Sequence, residues 1–253
     1  MRVDRLRSIE QYVLQQSSVS LEDLAEHFDV STNTIRRDIN ELLEGGRIQK
    51  VYGGVAARSD FKLLPMSIRA TTNTDDKLMI GMLAASLVKD GDTIFLDSGS
   101  TTPCMIPHLS SREGVTIVTH SLPAMYEASK YPNLKIISLG GLYNVSTSSF
   151  VGNSSLEAMS RLSVQAAFMA ATGVSIQKGL TNTTYFEADI KQHIVQRANR
   201  VILMADQTKF DNDSTITFFD FPDLYAVVTN AKPRDEYMDV IKKNSIKLLY
   251  PRD

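Results

Sequence analysis

The sequence predicts an α/β protein of two domains, an N-terminal winged helix-turn-helix followed by a larger doubly wound α/β domain. Up to about Arg58 the apolar residues recur with a helical period, whereas beyond about Asp75 continuous apolar stretches alternate with helical ones. Such alternation is typical of a parallel sheet that is covered by helices on both faces. We therefore expect a first domain at residues 1–57, a linker at 58–74 and a second domain at 75–253.

The first domain begins with two helix patterns. One face of a first helix is apolar through Leu6, Ile9, Val13 and Leu14. Ser20 and Asp23 have the spacing of a capping box, which predicts that a short second helix begins there.

A third helix and a β-ribbon complete the first domain. Ser31 is a good N-cap, and Gly45-Gly46 ends the helix. The buried face of this helix is formed by Ile35, Ile39 and Leu42. Residues 48–52 and the pair Gly53-Gly54 then predict a strand, a turn and a returning strand, so that a wing follows the helix-turn-helix.

The outward face of the third helix carries side chains that can contact DNA. They are Thr32, Asn33, Arg36, Arg37 and Asn40. Arginine can bind guanine edges or phosphates, and asparagine can bind adenine. Five bases and three acids give residues 31–58 a net charge of +2, whereas residues 1–30 carry −3. The alternative is a solvated helix face on which Arg37 pairs with Glu41.

Composition excludes several other classes of protein. The net charge is −2, so nucleic acid would have to be bound by a local patch. No apolar run reaches 18 residues and the first residues lead into no signal sequence, which predicts a cytoplasmic protein without a membrane span. A single cysteine and four scattered histidines predict no disulfide, no metal site and no cofactor.

Seven apolar segments of the second domain are expected to be strands: Thr93–Asp97, Val115–Thr119, Leu134–Leu139, Ala166–Ala171, Val201–Ala205, Tyr225–Thr229 and Ile246–Tyr250. The first of them is followed by small polar residues that open a helix, namely Ser98, Gly99, Ser100, Thr101 and Thr102. Amides and hydroxyls at a helix N-terminus favour an anion, so this loop is a candidate phosphate site. The alternative is an ordinary strand-to-helix turn with Ser and Thr caps.

The runs Val19–Ala25, Val30–Ile39 and Tyr52–Val55 resemble the signature of the DeoR family of bacterial repressors, most specifically in Thr34-Ile35-Arg36-Arg37-Asp38 before a Gly-Gly wing. The resemblance extends over essentially the whole chain. It implies that operator DNA is contacted by residues of the third helix and the wing: Ser31, Thr32, Asn33, Thr34, Arg36, Arg37, Asn40, Lys50 and Tyr52.

The effector domain of this family is similar in fold to ribose-5-phosphate isomerases. In that comparison Ser98–Thr101 match the phosphate loop, Glu187 matches the general base and Lys209 matches a basic residue near the ligand. Asp97 stands next to the expected sugar, where it would bind hydroxyls, or it simply caps the next helix. The resemblance implies a sugar-phosphate site of Asp97, Ser98, Gly99, Ser100, Thr101, Thr102, Gly140, Gly141, Gly173, Thr181, Glu187, Lys191, Asp206 and Lys209.

A sugar-phosphate isomerase with a DNA-binding extension is the alternative function. Those isomerases have an acidic turn after the strand that matches Ala166–Ala171, and here no Asp or Glu occurs between Glu157 and Glu187. Isomerisation needs positioned acid and base groups, so this pattern predicts a binder and not an enzyme.

The expected function is repression of a sugar or nucleoside catabolic operon by a homo-oligomer, dimer or tetramer, that a phosphorylated sugar releases from its operator. The run Phe95–Pro103 and the C-terminal stretch from Asp235 to Tyr250 are similar to the branch of the family that regulates a deoxyribonucleoside operon. That similarity implies deoxyribose-5-phosphate as the effector, with other pentose or hexose phosphates as alternatives.

Overall fold

The computed structural model of the chain describes residues 2–16, 18–44, 48–51, 53–57 and 65–251. Backbone proximity divides the chain into two compact units, Met1–Lys62 and Leu63–Asp253. The expected helix stop at Gly45-Gly46 and the basic residues Arg47 and Arg58 lie outside the described residues, as does Tyr52.

The first unit is a winged helix-turn-helix, as the sequence predicts. Its elements are α1 (Arg2–Gln16), β1 (Ser18–Ser20), α2 (Leu21–His27), α3 (Thr32–Glu44), β2 (Ile48–Val51) and β3 (Gly54–Ala57). Both predicted N-caps are confirmed. The Ser20 hydroxyl accepts a hydrogen bond from the Asp23 amide at 3.0 Å, and the Ser31 hydroxyl accepts one from the Thr34 amide at 3.2 Å.

The wing contains one strand more than predicted, because β1 pairs with β3 and gives the order β1-β3-β2. The Gly-Gly turn is explained by this arrangement. Gly53 has φ of +79°, and a Cβ on Gly54 would lie 2.2 Å from the carbonyl oxygen of Val19. Only glycine fits both demands, a left-handed backbone at one position and a close strand approach at the next.

The core of the first unit fixes which side of α3 faces out. Ile35 and Ile39 are buried against Ile9, Val13 and other apolar side chains of the unit. The buried carboxylate of Asp38 accepts a hydrogen bond from Arg5 Nε at 2.8 Å, which ties α3 to α1. The remaining polar face of α3 is thereby directed away from the core.

The second unit is built on one parallel sheet that contains all seven predicted strands. They are β4 (Thr93–Leu96), β5 (Thr116–Thr119), β6 (Lys135–Ser138), β9 (Ala166–Met169), β12 (Val201–Met204), β14 (Ala226–Val228) and β15 (Lys247–Leu249). Their order in the sheet is β15-β14-β12-β9-β4-β5-β6. The chain runs outward from β4 to β6 and returns to β9, so the direction of winding switches between β4 and β9. In open α/β sheets, ligands bind at the carboxyl ends of strands beside such a switch point.

Helices cover both faces of the sheet. They are α5 (Thr74–Ala85), α6 (Leu122–Ala128), α7 (Asn153–Ser160), α8 (Tyr185–Val195) and α9 (Asp235–Lys243). The helix expected after the polar loop spans Thr102–Leu109 and is a 3-10 helix that contains Pro103 and Pro107, each of which lacks an amide hydrogen for an α-helical bond. A further helix, α4 (Met66–Thr71), lies in the segment expected to be a linker.

Five short strands were not predicted. They are β7 (Leu142–Asn144), β8 (Ser149–Val151), β10 (Gly173–Ser175), β11 (Gly179–Asn182) and β13 (Ile216–Phe219), and they form two small antiparallel sheets. At three or four residues each, they are too short to display a period-two pattern. Within the described ranges, no helix is long and apolar enough to cross a membrane.

Candidate functional site

Of the expected DNA-contacting residues of the first unit, all but Tyr52 fall within the described residues. Asn33, Arg36, Arg37 and Asn40 are exposed on α3, and Lys50 is exposed on β2. Ser31 is exposed, Thr32 and Thr34 are half-buried, and the hydroxyls of Ser31 and Thr34 are 2.9 Å apart.

A groove runs between α3 and the wing. Its lining includes Arg36, Asn40 and Lys50, so three of the expected contacts converge from two elements. Guanidinium, amide and ammonium donors on one groove can bind phosphates and base edges.

The polar loop of the second unit lies at the switch point, because it follows the carboxyl end of β4. Ser98, Thr101 and Thr102 are buried, and Ser100 is half-buried. The Thr102 hydroxyl bonds to the carbonyl oxygens of Asp97 at 2.6 Å and Gly99 at 3.0 Å, which closes the loop on itself. The hydroxyl of Thr102 is therefore committed to the fold of the loop.

Asp97 joins the two strands that flank the switch point. Its carboxylate accepts a hydrogen bond from the Ala170 amide at 2.9 Å and pairs with Lys191 Nζ at 2.5 Å. Lys191 also donates to the Ala170 carbonyl at 2.7 Å. His120 Nε2 lies 3.5 Å from the second carboxylate oxygen. Asp97 is fully buried, and this geometry favours a structural role for it over the expected role in binding sugar hydroxyls.

The carboxyl group of Asp97 is ionised although it is fully buried. Burial raises the pKa of its carboxyl, but the charge of Lys191 and the hydrogen bond from His120 outweigh burial, so the pKa lies far below its usual value. The carboxyl group of Asp97 is thus ionised throughout the physiological range.

Glu187 is buried beside the same loop. Its carboxylate accepts a hydrogen bond from Asn182 Nδ2 at 3.0 Å and lies 3.5 Å from the Ser98 hydroxyl. The Thr184 hydroxyl caps α8 and lies 3.4 Å from the same carboxylate. Asn182 and Thr184 were not among the predicted site residues.

Two further cations at this site were also missed. Arg69 on α4 is close enough to Glu187 and Asp97 for their charges to raise its pKa, although burial lowers that pKa more. Lys77 on α5 is buried, and burial lowers its pKa while the nearby Asp206 opposes that change. A lysine inside an apolar helix was the available signal for Lys77, whereas Arg69 lay in the expected linker and offered none.

Lys209 was expected to reach the polar loop if β12, the strand before Lys209, lay next to β4, the strand before the loop. These two strands are not neighbours, because β9 lies between them. Lys209 is nevertheless near enough to Lys77 for its charge to lower the pKa of that ammonium. Asp206 is buried and caps the short 3-10 turn Gln207–Lys209 through the Thr208 amide at 2.9 Å.

Arg69, Lys77, Lys191 and Lys209 together form what we call the cationic cluster. It surrounds three carboxylates, those of Asp97, Glu187 and Asp206. Four cations and three anions leave an excess positive charge at the switch point. An anion that enters beside the polar loop would neutralise this excess, and serine hydroxyls and amides would supply further donors.

Four of the expected site residues have other surroundings. Gly140 and Gly141 are exposed after β6, and the Gly140 carbonyl accepts a hydrogen bond from Ser155. Gly173 and Thr181 pair across β10 and β11. The Thr181 hydroxyl donates to the Gly173 carbonyl at 3.1 Å and accepts from the Ser214 amide at 2.8 Å, so it holds the small sheet together. Among the residues that can be described, no cluster of His, Cys, Asp and Glu has the makings of a metal site.

Comparison with protein families matches both units. Residues 5–61 match the DeoR-like helix-turn-helix domain, and residues 72–231 match the DeoR C terminal sensor domain. The chain belongs to the DeoR family. Among relatives in this family is the HTH-type transcriptional regulator IolR of Bacillus subtilis (strain 168), which is 37% identical over 246 residues, or 97% of this chain and 98% of that protein.

Another DeoR-family relative is the glycerol-3-phosphate regulon repressor of Escherichia coli (strain K12), 30% identical over 247 residues and covering 98% of each chain. Among solved structures, a ribose 5-phosphate isomerase A from Methanocaldococcus jannaschii shows a distant and partial likeness. It is 23% identical, covers 55% of each chain and has a TM-score of 0.41. Within its family, the chain is therefore a transcriptional regulator with a DNA-binding domain and a sensor domain.

Replacement of Asp97 by Asn should destabilise the second unit strongly. The change leaves the buried ammonium of Lys191 without its counter-charge, which costs about 3–5 kcal/mol in comparable pairs. Because the folded-state pKa of Asp97 is depressed, its contribution is present above the unfolded pKa of about 3.9 and is lost as pH falls below it. Urea unfolding at several pH values measures both effects.

The matched control is Glu157→Gln, because Glu157 pairs with Arg161 on the exposed surface. Wild-type stability for Asp97→Asn, or equal small losses for both variants, would contradict the structural role of the buried pair.

Proposed function

We propose that the protein is a transcriptional repressor that binds operator DNA through α3 and the wing and leaves it when a phosphorylated sugar binds the second unit. The observation that carries this proposal is the cationic cluster beside a polar loop at the switch point of the sheet. The repressed genes would serve sugar or nucleoside catabolism.

The DNA-binding half of the proposal rests on α3 and the groove. Arg36, Asn40 and Lys50 line one groove, and Arg37 and Asn33 are exposed beside it. The polar face can lie against DNA because Ile35 and Ile39 hold the opposite face in the core. Thr32 and Thr34 in the first turn of α3 would position the helix by contacts to the sugar-phosphate backbone of the DNA.

The part of the proposal that concerns the ligand rests on the charges at the switch point. The excess positive charge at the switch point suits a phosphate, and the carboxylates of Glu187 and Asp206 suit the hydroxyls of a sugar. One relative is named for the regulon of a phosphorylated compound, glycerol-3-phosphate, which supports the same class of ligand here. Deoxyribose-5-phosphate is the effector we favour, and other pentose and hexose phosphates are the alternatives.

Release from DNA follows from linkage between the two sites. A ligand that binds the DNA-free arrangement more tightly than the DNA-bound one lowers operator affinity by the same factor. A homo-oligomer, dimer or tetramer, would place more than one winged helix on an operator with repeated half-sites.

We further propose that the chain is not an isomerase. The turn after β9, residues 171–175, contains no carboxylate. Glu187, the matching candidate base, is buried and bonded to Asn182, which fits a binding role. Isomerisation needs positioned acid and base groups, and the carboxylates that the isomerases place in this turn are missing here.

Arg36→Ala and Arg37→Ala should each weaken operator binding by about 1–3 kcal/mol, or roughly 5- to 150-fold, because each loses a charged donor to a base or phosphate. The measurement is a fluorescence-anisotropy titration at fixed salt on DNA that the wild type selects from a random duplex library. Arg161→Ala, an exposed arginine of the second unit, is the matched control. Unchanged affinity in both α3 variants, with circular dichroism normal, would rule out α3 as the contact.

Lys209→Ala should bind the operator as the wild type does but require at least about tenfold more 2-deoxyribose 5-phosphate for release, since one charge-assisted bond to the phosphate is lost. Lys232→Ala removes an exposed lysine of a nearby loop and serves as control. Release curves that coincide for all three proteins would remove Lys209 from the site.

Purified protein should show no turnover of ribose 5-phosphate above background, because the acidic turn is absent. Proton NMR of the sugar in D2O follows both ketose formation and exchange at C2, with heat-denatured protein as the control. Protein-dependent ketose that persists after further purification would favour the enzymatic alternative.

A further inference from the structure

Helix α4 (Met66–Thr71) lies in sequence between the two stretches that match family models, which end at residue 61 and resume at residue 72. It is the first described helix after the wing strand β3. Arg69 on this helix belongs to the cationic cluster, so α4 contributes directly to the candidate ligand site. The connection from the DNA-binding domain to the sensor domain therefore passes through an element of that site.

The local side-chain bonds of α4 lie at its end, where the hydroxyls of Thr71 and Thr72 donate to the Ile68 carbonyl at 3.1 and 2.9 Å. The helix has six residues, and Pro65 at its N-cap makes no side-chain capping bond. A helix of that length is not stable without tertiary contacts. Its start is held by the buried side chain of Met66 and by the Met66 amide, which donates to the Ser146 carbonyl at 3.0 Å.

The end of α4 is held by Lys77. The buried Lys77 ammonium donates to the Arg69 carbonyl and, at 2.6 Å, to the Thr72 carbonyl. These are carbonyls of the last turn, which have no partner inside a helix. The same ammonium is electrostatically coupled to Asp206 and Lys209 across the cluster. Lys77 is thus shared between the helix end and the place where a phosphate is expected.

From this arrangement we propose that Lys77 is a positioning residue that couples the ligand site to α4. A phosphate that enters the cationic cluster competes with the Arg69 and Thr72 carbonyls for the Lys77 ammonium, and the end of α4 is released. An anionic oxygen accepts a stronger hydrogen bond from an ammonium than a neutral carbonyl does. The competition by phosphate rests on the proposed function, whereas the hydrogen bonds from Lys77 to the end of α4 do not.

The test compares full-length wild type, Lys77→Met and Lys77→Arg. Amide hydrogen exchange is followed at Ile68 and Arg69, whose amides both donate to the Pro65 carbonyl, and at β4 as an internal reference. Without ligand, Lys77→Met should exchange about tenfold faster at these α4 amides and at the wild-type rate in β4. Lys77→Arg keeps a charged donor and should restore slow exchange.

Operator titrations then connect α4 to DNA binding. With 2-deoxyribose 5-phosphate or inorganic phosphate as the probe, wild type and Lys77→Arg should show faster α4 exchange and weaker operator binding. Lys77→Met should bind the operator several-fold more weakly without any probe and respond little when the probe is added. A residue with a purely structural role would lower stability in Lys77→Met but leave the ratio of operator affinities with and without probe unchanged.

Three results would overturn the coupling. The first is an exchange rate of the α4 amides in Lys77→Met that equals the wild-type rate when no ligand is present. The second is a wild type that binds the probe and releases DNA with α4 exchange unaltered. The third is an equal response of Lys77→Met and wild type to the probe. If no phosphorylated probe releases the wild-type protein from DNA, that result counts against the proposed function. The comparison of exchange rates without ligand still decides whether Lys77 holds α4.

Discussion

The second unit depends on one buried ion pair, Asp97 with Lys191, at the point where the sheet changes its direction of winding. Asp97 directly follows β4, and its carboxylate also accepts a hydrogen bond from the amide of Ala170, which directly follows β9. Lys191 reaches the same two strands from α8. Two halves of the sheet that are distant in sequence are therefore joined by charges that are costly to separate.

The same pair also bears on the ligand site that we propose. Because Asp97 and Lys191 satisfy each other, the positive excess is left to Arg69, Lys77 and Lys209, which come from α4, α5 and the turn after β12. The loop after β4 contributes the buried residues Ser98, Thr101 and Thr102 to the proposed site. The arrangement favours a small, doubly charged anion with hydroxyls attached, and it places one wall of the site on the helix that follows the DNA-binding domain.

Local patterns predicted much of this structure. The seven sheet strands are continuous apolar runs such as Val201–Met204, and the helix caps at Ser20 and Ser31 are spacing motifs, so both are visible in sequence. The insertion of β9 between β4 and β12 was not predictable, because strand order is set by contacts between distant segments. For the same reason the burial of Asp97 against Lys191 was not foreseen, and Arg69 and Lys77 were not named as site residues. The local signal for Lys77, a lysine inside an apolar helix, does not show which groups it meets, because that depends on how α4 and α5 pack.

The most direct measurement of ligand-controlled DNA binding is release of wild-type protein from its selected operator by matched pairs of sugars. Each pair consists of a phosphorylated sugar and its unphosphorylated parent, beginning with 2-deoxyribose 5-phosphate and 2-deoxyribose and extending to ribose and glucose. A site built on excess positive charge predicts release by at least one phosphorylated member and none by its parent at the same concentration. Equal release by the two members of a pair, or operator affinity that no phosphorylated sugar changes, would contradict it.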